Sequence, residues 1–545
     1  MNLLKSLNAV KVPTVGWQSA VGVFTSLVLA ACLCLAQGAP SAAAELRFAF
    51  QADAASLDPD FINEAFTQCF LNNIYEGLVR WDDQLKIEPA LATDWKMEGD
   101  TVWVFNLRHG VKFHDGRPFT ADDVVFSFER AMGPTSNYRP TLTDVEKVEK
   151  VDDYAVRITT KRRYAILPRT VVSVFIMSKS WVTEHDALAA TDIKAGTKSF
   201  ATTNEDGTGP FRVVSRRPDE QTRLEAYTDW WDKPTHNLTA ATFIPIKNAS
   251  TRTAALLSGE VDLIWPVPLQ DVQRLKQTPG FEASVRPSEW DIILRMNLHD
   301  DELHSSSVKG RNPFKDVRVR EALYRAIDID AINKKIMLGM ARLVALPLAP
   351  TTNGYDPALD KRPTYDPEVA KKLLAEAGYP DGFDFTLDCP NDRYINDEVI
   401  CQSIVAMWAR VGLKPSLASQ ERVRYFAKLS RYDSDVFMIG WAAAGTKDGH
   451  NTLIMNFATP DATHGGTNYG RYANPELDRL IDDIAQETDP TKRQQLFSQA
   501  FTIIQKDWAG IPLFLQPTAW GMRKDVHALQ LPDDNVRLWR ITVDQ

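Results

Sequence analysis

His114 and Asp115 stand side by side in Phe113-His114-Asp115-Gly116, the residue types of a general base and its orienting acid. No nucleophile or metal-ligand partner lies at a useful spacing, so the pair reads as part of a turn in which Gly116 supplies the positive φ. His450 and His464 fall in a Gly/Thr-rich region without paired cysteine or carboxylate spacing, which makes a weak metal signal. Arg393 differs in kind. It lies in Asn391-Asp392-Arg393-Tyr394-Ile395-Asn396, between a strand ending at Cys389 and a helix containing Cys401. That is the carboxyl end of a strand, where α/β sheets place ligands. A guanidinium there can hold a carboxylate through two parallel hydrogen bonds. The competing reading is a surface arginine paired with Asp392 or Asp397. Cys389 and Cys401 can close a disulfide over the same connection, provided their Cα atoms approach within bonding range.

The elements that must position these residues alternate between the two periodicities. Trp103, Phe105 and Leu107 alternate with Val102, Val104 and Asn106 as a strand does. Thr120 stands three residues before Asp123, the spacing of a capping box, and the helix that follows puts Val124, Val125, Phe128, Ala131 and Met132 on one face before Gly133-Pro134 stops it. A helix is expected to carry Ile74, Tyr75, Leu78 and Val79, and β structure is expected at Ala165–Leu167. Asp330 can cap a helix that ends at Gly339, and Asp366-Pro367-Glu368 is a helix start with its N-cap, first-position proline and acidic first turn. Phe383–Leu387 reads as a strand, Val399–Val411 as an amphipathic helix, Val436–Ile439 as a buried strand and Ile511–Leu515 as a last strand. The fold class is therefore α/β.

At 545 residues, 44% hydrophobic and 24% charged, the chain has material for a sizeable core in two or three domains. Lys5 and Lys11 precede an apolar run, Val21–Ala36, and Ala42-Ala43-Ala44 offers small residues for cleavage, so residues 1–44 read as a secretory signal. The run is too short for a comfortable membrane span. Leu29-Ala30-Ala31-Cys32 is the competing detail, a lipobox-like stretch that would make Cys32 a lipidated terminus; the apolar run continuing past it favours a soluble exported protein. The formal net charge of −9 argues against nucleic acid or an anionic membrane as the main partner. Cys69 is expected to be a buried, unpaired thiol.

Several separated motifs then converge. Phe113–Gly116 followed by Phe119-Thr120-Ala121-Asp122-Asp123-Val124, with Tyr75-Glu76-Gly77-Leu78, the segment Tyr227–Pro234 around Trp230-Trp231, and Ser250–Leu263, resemble the family 5 extracytoplasmic solute-binding proteins, the peptide and nickel type binding proteins of ABC importers. The resemblance implies a two-lobe periplasmic binding protein of the type II, cluster C-like kind, with lobe I over 45–287, an inserted subdomain at about 80–205, lobe II over 288–509 and a return to lobe I over 510–545. It implies a periplasmic, non-catalytic monomer without a cofactor, which closes on a small solute and delivers it to a permease in the inner membrane. For the site it implies Arg393, flanked by Asn391 and Tyr394, as the group that meets a ligand carboxylate, Trp441 as a flat wall, and Phe61 as an apolar contact. Ala444 stands where peptide-binding relatives carry an aspartate for the peptide ammonium, a loss on the order of 3–5 kcal/mol for a buried ammonium, and Asp448 could substitute from four residues on. The expected ligand is a short peptide or a peptide-like, carboxylate-bearing molecule; an opine, a sugar conjugate or a metal chelate remains open. A secreted hydrolase is the alternative of another class, but the mature chain has no Gly-x-Ser-x-Gly elbow or His-Glu-x-x-His pair.

Overall fold

The computed structural model describes residues 44–192, 199–443 and 445–544. The proposed signal segment up to residue 43, with Cys32, and Ala444 lie outside the described residues.

One mixed sheet runs through the molecule. From one edge its strands are Lys414–Gln420, Asp384–Pro390, Val436–Trp441, Phe281–Met296, Ile511–Arg523, Leu263–Ile264, Ala44–Phe50, Leu238–Pro245, Gln221–Ala226 and Phe211–Arg217. Ala44–Phe50 pairs parallel with Leu238–Pro245, and Asp384–Pro390 pairs parallel with Lys414–Gln420. Parallel neighbours need crossover connections, which gives the α/β alternation read from the sequence. The two longest strands, Phe281–Met296 and Ile511–Arg523, pair antiparallel along most of their length and join the two halves.

Their ladder shifts register twice, between Pro287 and Asp291 and between Ile292 and Ile293, and the first break is the larger. Pro287 faces Pro517 and Asp291 faces Leu515, so Ser288, Glu289 and Trp290 stand opposite the single residue Gln516. Proline has no N–H for a ladder, and two prolines face to face end the regular pairing there. The Ser288 hydroxyl donates to the Gln516 carbonyl at 2.7 Å and holds the bulge. Below the break, Ile511, Leu513 and Phe514 pack in one core with Leu294, Leu323 and Trp408; above it, Trp520 and Met522 pack with Leu46 and Phe243. The strand Ile511–Arg523 therefore starts in one core and ends in the other.

A second, four-stranded antiparallel sheet, ordered Ala92–Glu98, Val102–Leu107, Ala155–Thr160, Val145–Asp152, carries the helix Ala121–Ala131. Val124, Phe128 and Ala131 of that helix share a core with Phe105, Val156 and Ile158. The capping box forms, with the Thr120 amide donating to Asp123 at 2.9 Å. Three local expectations are corrected. The helix forms at Ala65–Leu71, not over Ile74–Val79, because the Asn73 side-chain amide caps the carbonyls of Cys69 and Phe70. Gly77 then lies so close to the neighbouring chain that a Cβ would meet the Val172 carbonyl at 2.7 Å. Ala165–Leu167 leads into a short helix, Leu167–Thr170, and Asp328, not Asp330, caps Ile329–Lys335. The motifs behind the resemblance meet in space: Glu76 accepts hydrogen bonds from the indoles of Trp230 and Trp231 at 3.2 and 2.7 Å and from Thr208 at 2.9 Å.

The His114-Asp115 turn is structural. His114 directs Nδ1 to the Glu205 carboxylate at 2.8 Å and Nε2 to the Gly209 carbonyl at 3.0 Å. Both partners can only accept, so both nitrogens carry protons and the ring is an imidazolium. Burial alone would push its pKa down, but Glu205 outweighs burial and the net shift is upward. Asp206, whose carboxylate accepts the Asp115 amide, is pushed up to about 7 by burial and by the nearby Asp115 charge. Burial likewise raises Asp291 and Asp534 to about 7. Each raised acid binds a proton in the fold that the unfolded chain has already lost, so its contribution is complete below about pH 4 and disappears as pH rises to about 7. The His114 contribution is complete below its unfolded value and is lost above its raised one. The unfolding midpoint should fall from pH 5 to pH 8, and Asp206→Asn should flatten that slope. A midpoint that rises over this range would count against the assignment.

Candidate functional site

The loop after Asp384–Pro390 folds around one carboxylate. Asp397, in the first turn of the helix Asp397–Arg410, accepts the backbone amides of Arg393 and Tyr394 through one oxygen, both at 3.0 Å, and the Glu398 amide through the other at 2.9 Å. Asp392 accepts the Arg422 amide at 2.6 Å. The two acids that could have neutralised Arg393 thus serve backbone. Its partly buried guanidinium lies over the Trp290 ring at 4.9 Å and the Tyr394 ring at 5.4 Å, with no carboxylate partner among the described residues. The stacking fixes the plane of the fork and leaves its N–H edge for an acceptor.

Tyr394 is buried, and its hydroxyl accepts the Gly440 amide at 2.8 Å, so it positions the loop against the end of Val436–Trp441. Burial pushes its phenol up to about 12. The Ile395 amide donates to the Gln516 side chain at 3.0 Å, which ties the loop to the strand crossing. Asn391 is exposed and donates its own amide to Gln420. Cys389 and Cys401 are disulfide-bonded, with Cα atoms 6.5 Å apart and a sequence separation of 12, and the bond closes the segment that carries Arg393. Closing a loop of that size contributes about 3 kcal/mol through the unfolded state. The double replacement Cys389→Ser/Cys401→Ser should lower stability in denaturant by about that amount and also weaken solute affinity. Unchanged affinity would separate the bridge from the site.

The bulge at 288–290 supplies the other half. It brings Trp290 to Arg393 and turns Glu289 toward Lys447, whose ammonium lies 2.5 Å from Glu289 and 3.9 Å from Asp533 and 5.5 Å from the Trp81 ring centre. All three charged side chains are at most 4% exposed. Asp533 also takes Arg537 at 2.7 Å; burial would raise its pKa, but Arg537 and Lys447 outweigh burial and hold it low. Arg169, from the inserted sheet's side, donates to the Lys447 carbonyl at 3.2 Å, and Arg163 donates to Thr488 at 2.8 Å. Lys447 therefore joins the bulge at Glu289, the C-terminal segment at Asp533 and the segments carrying Trp81 and Arg169.

Asp448 does not stand free as a substitute ammonium acceptor. Arg493 holds it with two hydrogen bonds of 2.7 and 2.8 Å, Asn353 donates at 2.7 Å and the His450 amide at 3.0 Å. Burial raises its pKa, but Arg493 outweighs burial and the carboxylate stays ionised. It is the N-cap of the helix Gly449–Asn456 and an anchor for Arg493. Trp441 is partly buried, its indole N–H is enclosed without a hydrogen-bond partner, and its strand position faces Asp291. Phe61 is partly buried; its carbonyl accepts from the Asn137 side chain at 2.6 Å. His450 is kept neutral by burial, its pKa pushed down to about 4, and His464 turns to Asp461 at 3.0 Å. Cys69 is a buried free thiol pushed up to about 12. Sequence reasoning missed Trp290, Glu289, Lys447, Asp533 and Arg169. The one signal for them was Pro287 and Pro517, which mark a broken ladder only once the two strands are known to pair.

Two lobes joined by a pair of crossing strands, with a stacked arginine at the crossing, define a type II periplasmic binding protein. The chain belongs to the bacterial extracellular solute-binding proteins, family 5, whose model matches residues 86–464. It is 31% identical over 470 residues to heme-binding protein A of Haemophilus influenzae, covering 81% of each chain. It is 27% identical over 528 residues to the glutathione-binding protein GsiB of Salmonella paratyphi A, covering 95% of this chain and 96% of that one. Among solved structures, HbpA2 from Haemophilus parasuis superposes with a TM-score of 0.80 at 26% identity, over 92% of this chain and all of that one. These relatives are named as binding proteins rather than enzymes.

Proposed function

We propose that this protein is the periplasmic solute-binding component of an ABC importer, which captures a peptide-like, carboxylate-bearing molecule between its lobes and delivers it to a permease in the inner membrane. The observation that carries the reading is the Arg393 guanidinium, stacked on Trp290 and Tyr394 and without a carboxylate partner among the described residues. A half-buried cation of this kind gains most from an anion that enters with the solute. Heme and glutathione, for which the two relatives above are named, both bear carboxylates. Two acids beside the site are already compensated, Asp448 by Arg493 and Glu289 by Lys447, so neither is free to take a solute ammonium. Recognition then rests on the carboxylate end. Native mass spectrometry of the protein purified from its own host tests this. A bound mass carrying a carboxylate is expected, and a bound solute lacking any anionic group would overturn the reading.

A further inference from the structure

A cavity of about 450 Å³ opens in the second lobe, and none of its lining residues belongs to the 391–396 loop, the 441–448 loop or the bulge at 288–290. Ile293, Ala345, Pro347, Ile504, Trp508 and Pro512 make its apolar walls. The size is that of a small-molecule site. The wall is preformed. Gln505 donates its side-chain amide to the carbonyls of Ala345 at 3.3 Å and Leu359 at 2.8 Å. Asp360 accepts the amides of Ala345 at 2.7 Å and Leu346 at 3.2 Å, which clamps the covering loop from the other side. Trp508 holds φ at +48°, a left-handed conformation that costs a bulky residue about 1–3 kcal/mol. That backbone sets its indole edge-on to the Tyr324 ring at 5.1 Å.

Three polar groups at the cavity, the Tyr324 hydroxyl and the ammoniums of Lys361 and Lys506, have no hydrogen-bond partner among the described residues, while Arg362 beside them donates to the carbonyls of Val344 and Pro512. Tyr324 lines the cavity and is 4% exposed, and its hydroxyl has no hydrogen-bond partner. A buried hydroxyl left unmade costs about 1–3 kcal/mol, so an acceptor arriving from outside recovers that amount. The Arg362 guanidinium lies 4.6 Å from the Tyr324 ring centre and favours a negative charge beside the phenol. Lys361 and Lys506, both exposed, stand at the cavity with no carboxylate partner among the described residues. Apolar walls, one unpartnered phenol donor and an excess of positive charge select one chemistry.

We propose that this cavity is a second ligand site, separate from the cleft at Arg393, for a small carboxylate with an apolar body: the Tyr324 hydroxyl donates to the carboxylate, Lys361 and Lys506 attract it, and the body packs against Trp508 and Ile504. Calorimetric titration of octanoate into the full chain tests it. Octanoate should bind, and octylamine should not. Tyr324→Phe keeps the ring and should weaken octanoate roughly 5- to 10-fold. Lys361→Gln/Lys506→Gln, at exposed positions that leave the fold alone, should weaken it several-fold and remove most of the salt dependence. Arg393→Ala should leave octanoate affinity unchanged, which keeps this site's fate distinct from that of the cleft. Absence of octanoate binding at millimolar concentration, equal binding of octylamine, or loss of octanoate binding in Arg393→Ala would each overturn the proposal.

Discussion

Replacing Arg393 by alanine should lower affinity for a carboxylate-bearing solute such as glutathione roughly 10- to 100-fold and leave the melting temperature of the unliganded protein unchanged. The first part follows from the strength of a charge-assisted hydrogen bond, about 1.5–3 kcal/mol. The second follows from the loop's construction. The amides of residues 393 and 394 are satisfied by Asp397, and the guanidinium itself closes no ion pair among the described residues, so its removal orphans no buried charge. Arg393→Lys keeps the charge but loses the planar fork and its stacking on Trp290, and should fall between the two. Calorimetry with the three proteins decides the matter. Equal affinities would remove Arg393 from the site.

Lys447→Met should have the largest effect on stability, a loss of about 3–5 kcal/mol in denaturant unfolding. The methionine fills much of the same space, so the loss measures charge and not volume. Without the ammonium, Glu289 is left buried and unpaired, while Asp533 retains Arg537. The double replacement Lys447→Met/Glu289→Gln removes the uncompensated charge and should recover a large part of the loss, as expected for two groups that act as a pair. A single-variant cost below about 1 kcal/mol would mean that the pair is solvated and not enclosed. Because Lys447 also meets Trp81 and, through its carbonyl, Arg169, the variant should loosen its contact with the segments that carry those two residues.

Much of the scaffold is legible in the sequence because it is built from local rules. The capping box at Thr120 and Asp123, the Asp366-Pro367 helix start and the alternation of Val102–Leu107 each need only neighbours within a few residues. The helix expected at Ile74–Val79 failed for the opposite reason. Its apolar residues are buried as expected, but by segments far along the chain: Ile74 and Tyr75 share a core with Phe175 and Phe211, Leu78 and Val79 share another with Val172, and Gly77 is needed for the close approach to Val172. An apolar run says that residues are buried and leaves open what buries them.

The same division separates the two halves of the candidate site. Residue type and loop position were enough to single out Arg393, since a guanidinium at the carboxyl end of a strand is a recognisable local pattern. Whether it was free to bind depended on where Asp392 and Asp397 spent their oxygens, and only the folded loop decides that. Asp448 was a plausible acceptor by spacing alone; Arg493, distant in sequence, claims it. Family, fold class and the arginine loop were thus determined by the sequence, through short-range patterns of hydrogen bonding and burial. The pairing state of each charge was decided by the tertiary structure, because a buried ion's partner is set by proximity in space, and the crossing of two strands at Pro287 and Pro517 brings together residues that no spacing rule connects.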